Sequence, residues 1–176
     1  IKAFLVKVAN AFFDSKTNKS IAKYYNKTNH IFFTYITSQV FDAFIVGIII
    51  SLVMTWMGIK YATLLGFIIG LFNVIPYFGA IVAILIAFII TIFTGGIGQA
   101  LWLGVIITVL QQIDSNIINP KILGTTLNLS PILVISSVTI GGAYFGILGM
   151  FLGVPVTAFI KVVIEEYLDK KKKKKV

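Results

Sequence analysis

Residues 61–113 read YATLLGFIIGLFNVIPYFGAIVAILIAFIITIFTGGIGQALWLGVIITVLQQI, and none of these 53 positions carries a charged side chain. Residues 122–160 form a second uncharged run, of 39 positions. A helix needs about 20 apolar residues to cross the hydrocarbon core of a bilayer. Both runs are continuously apolar rather than alternating, which favours helices and excludes a transmembrane barrel. The sequence therefore predicts an all-α, polytopic membrane protein.

The composition and the placement of charge agree with a membrane protein. Of the 176 residues, 58% are hydrophobic and 12% are charged, whereas a soluble domain has about 25% charged residues. The net charge of +9 comes from lysines that cluster near the two ends of the chain. Lysine-rich segments beside membrane spans stay in the cytoplasm, so we expect both ends to be cytoplasmic. No soluble module accompanies these lysines, and nucleic-acid binding is not expected.

The charge pattern divides the chain into three predicted parts. Residues 1–29 form a cytoplasmic or interfacial amphipathic segment, with a helix over 16–29. Residues 30–167 form the transmembrane domain, and its first span covers 31–57. Residues 168–176 form a basic cytoplasmic tail. Aromatic side chains at the start of the first span are interpreted as groups of the membrane interface; these are Phe32, Phe33 and Tyr35.

Two long apolar segments are interrupted by glycine and proline. Residues 61–94 contain the sequence NVIPYFG at 73–79, and proline removes a backbone donor, so this segment is one kinked helix or two helices that meet at a break. Residues 132–165 contain five glycines and then Pro155. Secondary transporters often build their sites from such discontinuous helices. The polar stretch 111–131 between the two segments is predicted to be a loop or a re-entrant segment.

Polar side chains within the apolar segments are the candidate transport path. An ionisable residue inside a span is costly and usually faces a cavity or a partner, so Asp42 is a candidate proton or cation site. An aspartate reached by interfacial water is the alternative interpretation. The amides and the carboxylate of 111–119 could line a polar path or cap helix ends. The candidate residues are Asp42, Asn73, Pro76, Gln111, Gln112, Asp114, Asn116, Asn119, Pro120 and Lys121.

Two pairs of glycines with a spacing of four residues indicate close helix packing rather than ligand binding. These are Gly142, Gly146, Gly149 and Gly153. The chain has no cysteine and a single histidine, which leaves no spacing typical of a metal site. Nucleotide-binding and serine-hydrolase motifs are absent as well. We therefore expect no enzyme activity, no metal and no cofactor.

Three motifs, in this order and separation, resemble those of the autoinducer-2 exporter family of bacterial permeases. They are GLFNVIPYFG at 70–79, QIDSNIINPKILG at 112–124 followed by LSP at 129–131, and GGAYFGILGMFLGVP at 141–155. The resemblance covers residues 30–167. Members are about twice as long, so the chain is similar to their C-terminal half.

The resemblance implies a multi-pass protein of the bacterial inner membrane that exports small polar solutes. Autoinducer-2, a polyhydroxylated quorum-sensing signal, is the solute for which the family is named. Some relatives are assigned to sodium/proton antiport, and members resemble homo-pentamers. Two alternatives to solute export therefore stay open: a sodium/proton antiporter or channel-like cation permease, and a membrane assembly scaffold that transports nothing.

Overall fold

The computed structural model describes residues 15–123 and 129–173. These residues contain helices and turns and no strand, which confirms the predicted all-α class. The helices are α1 (Ser15–Trp56), α2 (Ala62–Asn73), α3 (Phe78–Ile113), a π-helical turn (Asp114–Ile118), α4 (Asn119–Leu123) and α5 (Pro131–Lys173).

Helix α1 differs from the predicted division into a polar helix over 16–29 and a separate span. It runs unbroken from Ser15 to Trp56, because no proline interrupts it and its residues from 16 to 30 form helix as readily as its apolar residues do. Residues 1–14 of the predicted amphipathic segment lie outside the described residues. The boundary at residue 29/30 thus marks a change of composition within one helix.

Three helical stretches are long and apolar enough to cross a membrane: Ile21–Trp56, Phe78–Ile122 and Pro131–Asp169. Their outer faces expose large apolar side chains, among them Phe44, Phe93 and Trp102. A continuous apolar surface of this size is unfavourable in water and suits a lipid environment. The chain is therefore a multi-pass membrane protein whose outer face contacts the bilayer.

Helix α3 folds back on itself at Gly96. The backbone of Gly96 has φ 84° and ψ 170°, a conformation that glycine reaches without steric strain. The two arms of this hairpin lie side by side. A Cβ atom built on Gly104, in the second arm, would lie 3.7 Å from the ring of Phe88, in the first arm. Gln99 on the second arm donates a hydrogen bond from Nε2 to the carbonyl oxygen of Met57 at 3.1 Å. This bond places the bend of α3 beside the turn that joins α1 to α2.

Helix α5 is a second hairpin, with its bend at Gly146 (φ 61°, ψ −147°). The other predicted packing glycines bring its two arms together: Gly149 contacts the backbone of Gly141, Gly142 contacts Met150, and a Cβ on Gly153 would lie 2.6 Å from the carbonyl oxygen of Ser137. Of the predicted interruptions only Gly146 bends the chain, and Pro155 lies inside the second arm. The glycine pattern therefore serves contact within the chain.

Two apolar cores share helix α1. In one core, residues Val46, Ile50 and Met54 of α1 pack against α2 and α3. In the other, Ile31 and Tyr35 pack against α5, mainly at Val138, Val154 and Ala158. The segment of α1 between the two cores carries the buried polar side chains Gln39 and Asp42. The fold thus positions a polar cluster at the junction of two apolar units.

An ion-pair cluster joins the polar ends of α1 and α5. Lys27 Nζ lies 2.6 Å from Glu166 Oε1, and Lys23 Nζ lies 2.9 Å from Glu166 Oε2. We expect Glu166→Gln to lower the thermal unfolding midpoint by about 1–3 °C at low salt, because partly exposed ion pairs contribute little and are screened. Glu165→Gln is the matched control, since the ion pair of Glu165 in the described part of the chain is with Lys161 of its own helix, at 3.6 Å. Thermal unfolding measures both variants, and equal changes of the midpoint would contradict a role of Glu166 in joining α1 to α5.

Candidate functional site

Four elements bring polar side chains together at the middle of α1. Gln39 and Asp42 lie one turn apart on α1 and therefore share a face. Asn73 is the last residue of α2, Asp114 opens the π-helical turn, and Asn119 opens α4. Asp42 is completely buried, and Gln39, Asn73 and Asp114 are buried as well. Residues that are up to 80 positions apart in sequence thus form one cluster.

One amide joins the two carboxyl groups of the cluster. Asn73 donates from Nδ2 to Asp42 Oδ2 at 3.0 Å and to Asp114 Oδ2 at 3.3 Å. Asn119 donates from Nδ2 to the same Asp42 oxygen at 3.3 Å and to Gln39 Oε1 at 3.5 Å. These bonds connect α1, α2, the π-helical turn and α4. Asp42 and Asp114 are consequently held close together within a polar cluster that lies between two apolar cores.

The break after α2 follows from its sequence. Pro76 cannot donate a backbone hydrogen bond, and Tyr77 adopts a positive φ of 62°. Gly79 contacts the carbonyl group of Phe72, so that no side chain fits at the start of α3. The break frees the carbonyl oxygen of Val74, which accepts a hydrogen bond from Gln39 Nε2 at 3.1 Å. The predicted interruption at 73–79 is therefore two helices that meet at a break, and the break is tied to α1.

Residues 111–123 are helical, so the prediction of a loop is wrong for this part of 111–131, whereas a re-entrant helical segment stays a prediction. The π-helical turn turns Asp114 inward and leaves Asn116 exposed. Asn116 donates from Nδ2 to the carbonyl oxygen of Gln112 at 2.7 Å. Asp114, Asn116 and Asn119 thus find hydrogen-bond partners within the turn or on α1 and α2, which removes the need for a solvated loop. Residues 124–128 lie outside the described residues.

A cavity of about 740 Å³ adjoins the cluster. Its wall includes eight of the ten predicted path residues: Asn73, Pro76, Gln111, Gln112, Asp114, Asn116, Asn119 and Pro120. Asp42 is not part of the wall and lies behind Asn73 and Asn119, to which it is hydrogen-bonded. Lys121 is exposed and is likewise absent from the wall. Most of the predicted path residues therefore line one cavity. Asp42 holds two of these wall residues, Asn73 and Asn119, by accepting their hydrogen bonds.

Tyr35 lines the same cavity and was predicted to be an interfacial aromatic instead. It is 1% exposed, and its ring packs against Phe151 with the ring centroids 5.4 Å apart. The interfacial interpretation is wrong because α5 covers this face of α1. Tyr35, Gln39 and Asp42 follow the spacing i, i+4, i+7, which places them on one helix face. That spacing is the signal in the sequence that could have identified Tyr35.

Four buried polar atoms have no hydrogen-bond partner among the described residues: Tyr35 Oη, Asp42 Oδ1, Gln111 Nε2 and Asp114 Oδ1. Buried polar groups are nearly always paired in folded proteins, so each of these atoms needs an explanation. All four belong to the cavity wall or to the cluster directly behind it. In the described part of the chain, no three His, Cys, Asp or Glu side chains come together to hold a metal ion.

These features define a multi-pass helical membrane protein whose broken helices surround a polar cavity. The chain belongs to the AI-2E transporter family, since the model of that family, described as "AI-2E family transporter", matches residues 2–169. This match confirms the resemblance seen in the three motifs.

Curated relatives are named as transport proteins. "Putative transport protein YrrI" of Bacillus subtilis (strain 168) is 34% identical over 76% of this chain and 38% of the relative. "Putative transport protein YueF" of the same organism is 36% identical over 59% of this chain and 28% of the relative. "Putative transport protein YhhT" of Escherichia coli (strain K12) is 29% identical over 68% and 34%. The chain thus spans less than half the length of these relatives. No solved structure gives a significant match.

Proposed function

We propose that the complete protein exports small polar solutes across the bacterial inner membrane through the cavity beside Asn73 and Asp114. The observation that carries this proposal is the single Asn73 amide that joins two buried carboxyl groups at a helix break, beside a cavity of about 740 Å³. Charged groups are rare inside membrane domains and mark solute or ion pathways. Broken helices beside such groups are typical of transporter binding sites.

The membership of the AI-2E family supports transport rather than enzyme activity. Autoinducer-2 is the solute that the family resemblance suggests, and the amide-rich wall suits a hydroxylated molecule of this kind. The lysine-rich ends support a cytoplasmic location for both ends of the chain. A homo-oligomer, and a pentamer in particular, rests on the family resemblance alone.

Cation transport is the second candidate function, and the two carboxyl groups favour it. Asp42 and Asp114 each keep one oxygen without a partner in the described part of the chain. Two neighbouring carboxylates in an apolar interior repel each other unless a proton or a cation lies between them. A sodium/proton antiporter or a channel-like cation permease would use this pair as its ion site.

An assembly scaffold is the third candidate, from a different class of function. The glycine-lined hairpin of α5 gives little support to a scaffold, because its small residues contact each other within one chain. In a scaffold, polar substitutions at 111–121 would disturb the oligomer and leave solute flux unchanged.

The test of solute export is an untargeted comparison of metabolites released by cells with and without the complete gene. We expect at least one small polar compound to accumulate inside cells that lack the gene, and everted vesicles that contain the protein to take up that compound. Imposed sodium and proton gradients distinguish the antiporter, since they would drive ion exchange without the compound. Unchanged metabolite profiles together with gradient-driven sodium flux would contradict solute export and favour the antiporter.

A further inference from the structure

Three asparagines in the wall of the cavity hold their side-chain amides in the same way. Asn73 donates from Nδ2 to the two buried carboxyl groups of the cluster, at 3.0 and 3.3 Å. Asn119 donates from Nδ2 to one of these carboxyl groups, at 3.3 Å. Asn116 donates from Nδ2 to a backbone carbonyl oxygen of its own turn, at 2.7 Å. In all three residues the nitrogen end of the amide is therefore bound to the protein.

The partners of these amides fix which end faces the protein. A backbone carbonyl oxygen and an ionised carboxylate only accept hydrogen bonds, so a reversed amide would place two acceptors against each other. Gln39 extends this constraint, because its Nε2 donates to the carbonyl oxygen of Val74 at 3.1 Å and its Oε1 accepts from Asn119 at 3.5 Å. Gln39 and Asp42 thus act as positioning residues for the amide of Asn119.

The amide oxygens of the three asparagines are open to the cavity. The oxygens of Asn73 and Asn119 accept no hydrogen bond from the described residues, and neither belongs to the fully buried unpartnered atoms of this part of the chain. Each of these oxygens therefore keeps accessible surface, and Asn116 is exposed as a whole. Since all three residues line the cavity, their oxygens are available to a solute.

The other polar groups of the wall leave this excess of acceptors in place. Gln112 offers a donor, because its Oε1 accepts from Asn116 at 3.3 Å and its Nε2 stays available. The hydroxyl groups of Tyr77 and Ser115 can donate or accept. Asp114 adds negative charge, and among the described residues of the wall none is Lys, Arg or His. A cleft lined by one sign of charge concentrates solutes of the opposite sign and disfavours those of the same sign.

We infer that the cavity recognises hydrogen-bond donors on its solute and rejects anions, because the protein turns the amide oxygens of Asn73, Asn116 and Asn119 toward the solute. This inference rests on the proposed function and narrows its class of solute. The class consists of uncharged or cationic molecules that carry several hydroxyl or amino groups. Carboxylates and phosphates are excluded by their charge, and ethers are excluded because they have no donor.

The test uses two four-carbon probes of nearly equal size, erythritol and erythronate, which differ by a carboxylate in place of one hydroxymethyl group. We expect liposomes that contain the complete protein to take up erythritol faster than protein-free liposomes, and erythronate to stay at the protein-free rate. Excess threitol should compete with erythritol, whereas excess 1,2-dimethoxyethane, which has no donor, should not. Equal uptake of the two probes, equal competition by the two competitors, or no protein-dependent uptake of erythritol would overturn the inference.

Substitutions of Asn116 locate the recognition, because this residue is exposed in the wall and its amide bonds stay within its own turn. Asn116→Leu removes the oxygen and should lower erythritol uptake by about 2- to 10-fold, as expected for one neutral hydrogen bond. Asn116→Lys replaces the acceptor by a cationic donor, so it should lower erythritol uptake and admit erythronate. A general loss of structure would not produce that gain.

Asn26→Lys is the matched control, since it adds the same charge at an exposed position of α1 outside the cavity wall. We expect this variant to transport erythritol like the unmodified protein and to exclude erythronate. A folded Asn116→Lys that still excluded erythronate would overturn the inference. If Asn116→Lys fails to assemble, Asn116→Leu still decides, because unchanged erythritol uptake in that variant would overturn the inference as well.

The solute class and solute export can fail separately. An exported metabolite that is an anion, found by comparing cells with and without the gene, would remove the inference and leave solute export in place. Selective uptake of erythritol by a protein whose gene changes no released metabolite would remove export from cells and leave the recognition of donors in place.

Discussion

Replacing Asp114 by asparagine is expected to lower solute flux through the complete protein by about 10- to 100-fold, with the protein still folded and inserted. The carboxyl group of Asp114 lies in the cavity wall and accepts a hydrogen bond from Asn73 at 3.3 Å. The variant loses a hydrogen bond between the solute and a charged carboxylate. Hydrogen bonds to charged groups contribute about 1.5–3 kcal/mol, which corresponds to a 10- to 100-fold change in rate. Asparagine has nearly the same shape and keeps an oxygen that can accept from Asn73, so the fold should tolerate it.

The measurement is uptake of the identified metabolite into everted vesicles, with the amount of inserted protein determined in parallel. Asp169→Asn is the matched control, since it removes the same charge from an exposed position near the end of α5. Wild-type flux in Asp114→Asn would contradict the assignment of the cavity as the solute path. A loss of oligomer with unchanged flux per inserted protein would favour the scaffold.

The second large effect is expected at Gly70, where α2 packs closely on α1. A Cβ atom at this position would lie 2.6 Å from the carbonyl oxygen of Ala43 and 2.9 Å from the Cα atom of Gly47. Both are backbone atoms that cannot rotate away, so Gly70→Ala must separate the two helices. Overpacking of this kind costs about 1–3 kcal/mol. It should also displace Asn73, which lies one turn further along α2, and thereby reduce flux.

Thermal unfolding of the complete protein measures the first consequence, and vesicle flux measures the second. The matched control is Gly98→Ala, because a Cβ atom on Gly98 meets no atom within 4 Å. We expect a lower unfolding midpoint and lower flux for Gly70→Ala, and neither change for Gly98→Ala. Equal midpoints for the two variants would show that α1 and α2 can separate without loss of stability.

The helical class and the break after α2 could be predicted because both follow from local rules. A long uncharged run in lipid must satisfy its own backbone, and Pro76 cannot continue a helix. The hairpin bends could not be predicted in the same way. Several glycines occur near each bend, and only Gly96 and Gly146 take the positive φ that turns the chain. Which glycine bends depends on how the two arms pack, and composition does not contain that information.

The candidate site, like the fold, could be predicted only in the part that follows from local sequence. Polar residues at 111–119 were identified because they interrupt an apolar sequence, but their helical conformation depends on partners elsewhere. Asp114 is bonded to α2 through Asn73, and Asn119 is bonded to Asp42 on α1. Tyr35 was misplaced because only the presence of α5 decides whether that face of α1 meets the interface or the protein interior.

The sharing of α1 by two apolar cores has a mechanical consequence. A stiff helix that belongs to both cores transmits a tilt of one core to the other, and the strain falls on the turn between them. That turn contains Gln39 and Asp42, where hydrogen bonds replace apolar packing. Regions with little apolar packing open at a lower free energy than the rest of a protein. The part of α1 that lies beside the cavity is therefore also the part at which the helix bends most easily.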